Sequence, residues 1–121
     1  MSRKKITKEQ RHDIFLRFHG RCAYCGCGIN EDKFEVDHVE AIRELGGEIL
    51  NKDNDNLDNL FPSCCSCNRL KSSLPLEYFR KKIENQVAQF ERDSANFRLI
   101  ERFEQIKIVP KPVIFFFELV K

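Results

Sequence analysis

Two Cys-x-x-Cys turns bracket the middle of this chain, Cys22-Ala-Tyr-Cys25 and Cys64-Cys65-Ser66-Cys67. A turn of this kind sets two thiolates on one metal ion without strain. Two such turns supply the four tetrahedral ligands of a closed structural zinc site. Any fold of the chain must therefore bring residues 22–25 and 64–67 to a common point. The 38 residues between Cys25 and Cys64 exceed what a simple zinc ribbon needs, so the insert is expected to be a functional segment. The expected zinc ligands are Cys22, Cys25, Cys64 and Cys67. Cys27 and Cys65 are left over, and either could take a neighbour's place.

This reading needs reduced thiols. Met1-Ser2-Arg3-Lys4-Lys5 leads into no apolar signal run, and no apolar stretch is long enough to span a bilayer. The expected location is cytoplasmic, where paired Cys-x-x-Cys turns bind metal rather than form disulfides.

Local signals divide the chain. Thr7 followed by Gln10 fits a capping box, and a helix is expected from about Lys8 to Phe18, with Ile14, Phe15 and Phe18 on one face and Gly20 as its stop. Phe34-Glu35-Val36 alternates and reads as a short strand ending at Asp37-His38. Arg43 to Asp58, with Gly46-Gly47 and many Asn and Asp residues, reads as a loop with little regular structure. Asn59-Leu60-Phe61 returns as a second strand ended by Pro62, and Cys65 to Lys71 is expected to be a short helix. Ser73 and Pro75 open an amphipathic helix through Leu76, Phe79, Ile83, Val87 and Phe90. Ser94 caps another, with Phe97, Ile100 and Phe103 inward. Val113 to Val120 is a strand candidate that needs a cover, either within the chain or from another chain. At 121 residues one domain, 1–121, is expected.

The insert carries chemistry. Hydrolysis of a phosphodiester needs an activated water and stabilisation of charge on the phosphate and the leaving oxygen. A histidine with a near-neutral pKa can take the proton from water. A hard divalent ion can supply the rest as a Lewis acid, held by oxygen ligands. His38 fits the first role. Asp37 offers a carboxylate and Asn68 an amide carbonyl for the second. Charge is arranged to match a polyanion with cations at the centre: residues 1–29 are net +5, 30–60 net −7 and 61–121 net +4.

At this point the chain resembles the HNH endonucleases of the ββα-metal fold. The resemblance rests on Cys22-Ala-Tyr-Cys25, Asp37-His38, Gly46-Gly47, Asn59-Leu60 and Cys64-Cys65-Ser66-Cys67-Asn68-Arg69-Leu70-Lys71, in that order. With the lead-in helix it covers roughly residues 7–73, and residues 74–121 form an extension outside it. It implies an α+β fold, a ββα-metal core stapled by a four-cysteine zinc site, with an N-terminal helix and C-terminal helices plus a terminal strand. It implies a DNA endonuclease leaving 5′-phosphate and 3′-hydroxyl ends. His38 would be the general base. Asp37 and Asn68 would hold a catalytic Mg2+ or Mn2+ beside the structural Zn2+, and Asn59 would orient the loop that carries His38. The last motif position is Asn68 rather than His, which favours a harder ion. Arg69 and Lys71 are expected at phosphates near the metal, with Arg3, Lys4, Lys5, Lys8 and Arg11 further along the backbone.

Residues 74–121 could mediate a homodimer or dock a partner protein. A competing reading keeps the four cysteines and the basic flanks but not the chemistry: a non-catalytic, zinc-stabilised nucleic-acid-binding or adaptor module. Asp37, His38 and Asn68 occurring together weigh against it. A thiol redox role for Cys27 or Cys65 lacks the βαβ pattern expected around a redox Cys-x-x-Cys.

Overall fold

The computed structural model describes residues 6–39, 44–45, 48–49 and 57–120. Arg3, Lys4, Lys5 and Gly46-Gly47 lie outside the described residues. The chain divides into two compact units, residues 1–76 with 114–121 and residues 77–113.

In the first unit, helix α1 spans Lys8–Arg17. Its start is the capping box expected from the sequence: Thr7 Oγ1 accepts the Gln10 N–H (3.1 Å) and Gln10 Oε1 accepts the Thr7 N–H (3.0 Å). Its end differs in one detail. The Gly20 N–H reaches back to the Phe15 carbonyl and the His19 N–H to the Leu16 carbonyl. These are the two bonds of a Schellman stop, so the residue in its left-handed position is His19 (φ 59°), with Gly20 (φ 71°) completing the turn.

Strand β1 (Glu35–His38) pairs antiparallel with β4 (Leu60–Ser63), placing Asp37 opposite Phe61 and His38 opposite Leu60. Pro62, expected to end the second strand, lies inside it. The Val39 N–H bonds the Asn59 carbonyl (2.9 Å). Counting in twos from that pair, position 62 falls where no ladder donor is required, so proline is tolerated. The segment expected to be plain loop contains a second short antiparallel pair, β2 (Glu44–Leu45) with β3 (Glu48–Ile49), and a 3-10 turn at Leu57–Asn59. Helix α2 (Cys65–Lys71) follows β4 directly and packs on β1, completing a ββα core.

Ile14, Phe34 and Leu60 are buried together, with Ile6, Phe15, Ile29 and Val36 against them. An aromatic group forms around the first knuckle, in which Tyr24 meets Phe115 edge-on (centroids 5.5 Å apart) and Phe61 meets Phe117 at 4.9 Å. This group explains why Val113–Val120 is not the expected strand. Its backbone donors go to the knuckle instead, Phe116 N–H to the Tyr24 carbonyl and Phe117 N–H to the Ala23 carbonyl. Glu118 then caps the Phe115 N–H (2.9 Å), and the chain turns into the one-turn helix α6 (Phe116–Leu119). Packing and local capping outweigh the strand propensity of the run.

In the second unit, the single amphipathic helix expected from Leu76 to Phe90 is divided at Asn85 into α3 (Leu76–Glu84) and α4 (Gln86–Asp93). Ser94 caps α5 (Ala95–Arg102) by accepting the Phe97 N–H (3.1 Å), as its sequence position suggests. Phe90 and Phe97 stack at 5.8 Å between α4 and α5. Phe103, expected inward, is 72% exposed, because the helix has ended and Phe103 is its cap. Among the described residues no helix is long and apolar enough to cross a membrane.

Candidate active site and metal centre

The knuckles meet as their spacing requires. The Sγ atoms of Cys22, Cys25, Cys64 and Cys67 all lie within 4.8 Å of one another. Tetrahedral zinc with Zn–S bonds of about 2.3 Å implies sulfurs about 3.8 Å apart, and Cys25 Sγ to Cys64 Sγ measures 3.8 Å. Local structure explains the convergence. In the first knuckle the Cys22 N–H bonds the Cys27 carbonyl and the Gly26 N–H bonds the Cys22 carbonyl, a turn that needs the left-handed backbone of Gly26 (φ 80°). In the second, Cys64 is the N-cap of α2 and its sulfur accepts the Cys67 N–H (3.4 Å). The knuckle is also tied to the sheet, through the Ala23 N–H on the Pro62 carbonyl (2.8 Å).

The Cys22 thiol is pulled down to about 4, chiefly by its hydrogen bond with Cys67; burial opposes this and backbone donors add to it. The same bond, with burial, pushes the Cys67 thiol up. The donor set fits zinc. Cys27 and Cys65 are exposed and are not among these four, although the Cys27 thiol lies against Cys25 and Cys64, and burial together with this contact pushes its pKa up to about 12.

Beside this centre, α2 lies across β1. Residues two apart on a strand share a face, so Glu35 and Asp37 point the same way. Asn68 and Lys71 are one helical turn apart on α2. The two pairs engage: Asn68 Nδ2 donates to Glu35 Oε2, and Lys71 Nζ lies 3.1 Å from Asp37 Oδ2. Lys71 Nζ also donates to the His38 carbonyl at 3.2 Å. Asp37 Oδ2 further accepts the Tyr24 hydroxyl, whose pKa is pushed up by burial and by the Asp37 charge.

These contacts bear on whether a divalent ion fits. Both contacts of Asp37 fall on Oδ2, which leaves Oδ1 as the oxygen for a ligand. Asn68 spends its N–H on Glu35, which leaves its carbonyl oxygen for the same purpose. One carboxylate and one carbonyl oxygen suit a hard cation that keeps several waters.

Other expected site residues are placed as follows. His38 ends β1 and is half-buried. Asn59 ends the 3-10 turn, and its carbonyl receives the Val39 N–H, one residue past His38. Arg69 is exposed on α2, with Nη2 3.4 Å from Cys65 Sγ, and Lys8 is exposed at the start of α1. Two expectations change. Lys71 is fully buried on Asp37 rather than turned to solvent, and Arg11 stacks on the Phe34 ring (3.9 Å) and bonds the Phe34 and Glu31 carbonyls. Arg11 therefore joins α1 to the turn before β1. Sequence reasoning missed Glu35 and Tyr24. Strand alternation from Asp37 was a signal for Glu35; nothing in the sequence linked Tyr24 to Asp37.

Residues 22–74 match the family described as HNH endonuclease, which bears out the resemblance read from the sequence. Among solved structures the chain is similar to the type II-C Cas9 enzyme from Actinomyces naeslundii, at 26% identity and a TM-score of 0.52. The likeness covers 63% of this chain and 8% of that one, so it spans a small part of a much longer protein. Comparison with curated proteins found no match.

Proposed function

We propose that this chain is a metal-dependent DNA endonuclease that hydrolyses phosphodiester bonds, leaving 5′-phosphate and 3′-hydroxyl ends. The family match and the Cas9 likeness support nuclease-type activity in general. The finer reading is carried by one observation: α2 brings Asn68 onto the strand that holds Asp37 and His38, in a polar layer beside the four cysteines.

His38 is the general base and takes the proton from the attacking water, a role suited to an imidazole near neutral pH. Asp37, through Oδ1, and Asn68, through its carbonyl oxygen, hold Mg2+ or Mn2+. When bound, that ion supplies Lewis-acid stabilisation of the charge that develops on the phosphate and the departing 3′ oxygen. Tyr24 and Lys71 fix the Asp37 carboxylate. Asn59, through the Val39 bond, fixes the exit of β1 and so the place of His38. Arg69 and Lys8 are exposed and meet phosphates, and Arg3, Lys4 and Lys5 extend that contact. Zn2+ on the four cysteines clamps the knuckle to α2. Residues 74–121, where Tyr78, Phe90 and Phe103 are exposed, serve a second copy or a partner protein.

Supercoiled plasmid tests this. The zinc-loaded protein is expected to nick it only with Mg2+ or Mn2+ present, and the nicks should be sealed by DNA ligase without further treatment. Nicks that ligase cannot seal would contradict the assigned ends. DNA bound but uncut in every divalent ion would favour the zinc-stabilised binding or adaptor module.

A further inference from the structure

Glu35 lies two residues before Asp37 and takes part in none of the steps above. Its one described side-chain contact is with Asn68, whose Nδ2 donates to Glu35 Oε2. An ionised carboxylate only accepts hydrogen bonds, whereas an amide has a donor end and an acceptor end. The partner therefore decides which way the amide is turned. Facing Glu35, Asn68 must present its N–H2 group to the acid and its carbonyl oxygen away from it. Facing a donor, it would turn round and offer a cation its N–H2 end, which repels it.

The neighbouring pair keeps this arrangement from being interchanged. Lys71, one turn along α2, is fully buried on Asp37. A lysine on Asp37 and an amide on Glu35 set the register of α2 on β1.

We propose that Glu35 is a positioning residue, which orients the Asn68 amide so that its carbonyl oxygen is presented to the divalent ion. This rests on the reading of Asp37 and Asn68 as the ion's ligands. Glu35 need not touch the ion or the substrate. Its action is through Asn68, in the manner of the outer partners that orient metal ligands elsewhere.

The test is Mn2+ binding to the zinc-loaded full chain, measured by calorimetry without DNA. In Glu35→Gln the partner can accept or donate, so the amide is no longer forced one way. Binding is expected to weaken about 10- to 100-fold, with zinc content and thermal midpoint close to wild type. The swapped pair Glu35→Gln with Asn68→Asp should recover most of that loss, since a carboxylate at 68 offers oxygen from either side. Glu35→Asp, which keeps an acceptor, should lose less than Glu35→Gln and serves if the latter does not fold. Unchanged Mn2+ affinity in Glu35→Gln, or a lowered midpoint with affinity unmoved, would overturn the inference while leaving the nuclease reading intact. If Asp37→Asn bound Mn2+ as tightly as wild type, the ligand assignment itself would fall, and the role of Glu35 with it.

Discussion

Lys71 Nζ lies 3.1 Å from Asp37 Oδ2, with the lysine side chain 0% and the aspartate 7% exposed. Removing one partner of a buried pair strands the other charge. Lys71→Met is therefore expected to destabilise the zinc-loaded protein by about 3–5 kcal/mol. The double variant Asp37→Asn, Lys71→Met should be closer to wild type than the single one, because neither side then carries an unpaired charge. Denaturant midpoints of the three proteins check this. A single variant as stable as wild type would mean that Lys71 reaches solvent.

The metal clamp makes a separate prediction. Cys64→Ala should lose zinc and unfold the first unit, since zinc binding and folding are coupled when ligands come from distant parts of the chain. Cys27→Ser and Cys65→Ser, which alter exposed sulfurs that are not among the four, should keep zinc and fold. Zinc content by mass spectrometry under native conditions separates the cases. A zinc-loaded, cooperatively folding Cys64→Ala protein would contradict the ligand set.

Phe115 is 1% exposed and packs on Tyr24 and Phe117. Phe115→Ala should cost about 3–5 kcal/mol, as large-to-small changes of a buried aromatic do. Since Phe116 and Phe117 bond the Tyr24 and Ala23 carbonyls, the loss should also speed zinc release to a chelator. Thermal melting and the chelation rate, measured together, test both. An exposed terminal segment would show neither change.

His12 Nδ1 bonds Glu31, joining α1 to the turn before β1, and the hydrogen bond with Glu31 raises the His12 pKa. A raised folded-state pKa stabilises the protein at pH below the unfolded value of about 6.5. That contribution is lost as pH rises through the higher folded value. His12→Ala should therefore lower the melting temperature slightly at pH below about 6, and leave it unchanged in mildly alkaline buffer. The pair is exposed, so the effect is small and should shrink in high salt. An equal effect at both pH values would remove the ion pair as its cause.

What was legible in the sequence is what short-range chemistry decides. Thr7 and Gln10 cap α1 because the two residues need only each other. Cys65 to Lys71 forms a helix and delivers Cys67 and Asn68 because a metal-ligand position and the N-cap coincide at Cys64. Partnerships made by the fold were not legible. Lys71 looked like a surface cation because its acid comes from a strand 34 positions earlier. Strand propensity failed as a guide to residues 113–120 for a similar reason: the donors of Phe116 and Phe117 find carbonyls in the knuckle, not a sheet edge. Glu35 was hidden because a carboxylate in a strand has no motif until an amide arrives opposite it.

The proposed chemistry depends on water activation by His38, beside the ion that Asp37 and Asn68 would hold. Its most direct measurement is single-turnover nicking of supercoiled DNA by wild type and His38→Ala, at saturating Mg2+ and matched zinc content. Loss of a general base is expected to slow nicking by about 100- to 10,000-fold, with DNA affinity and thermal midpoint near wild type. Equal rates in the two proteins would contradict this role and assign the proton to another group.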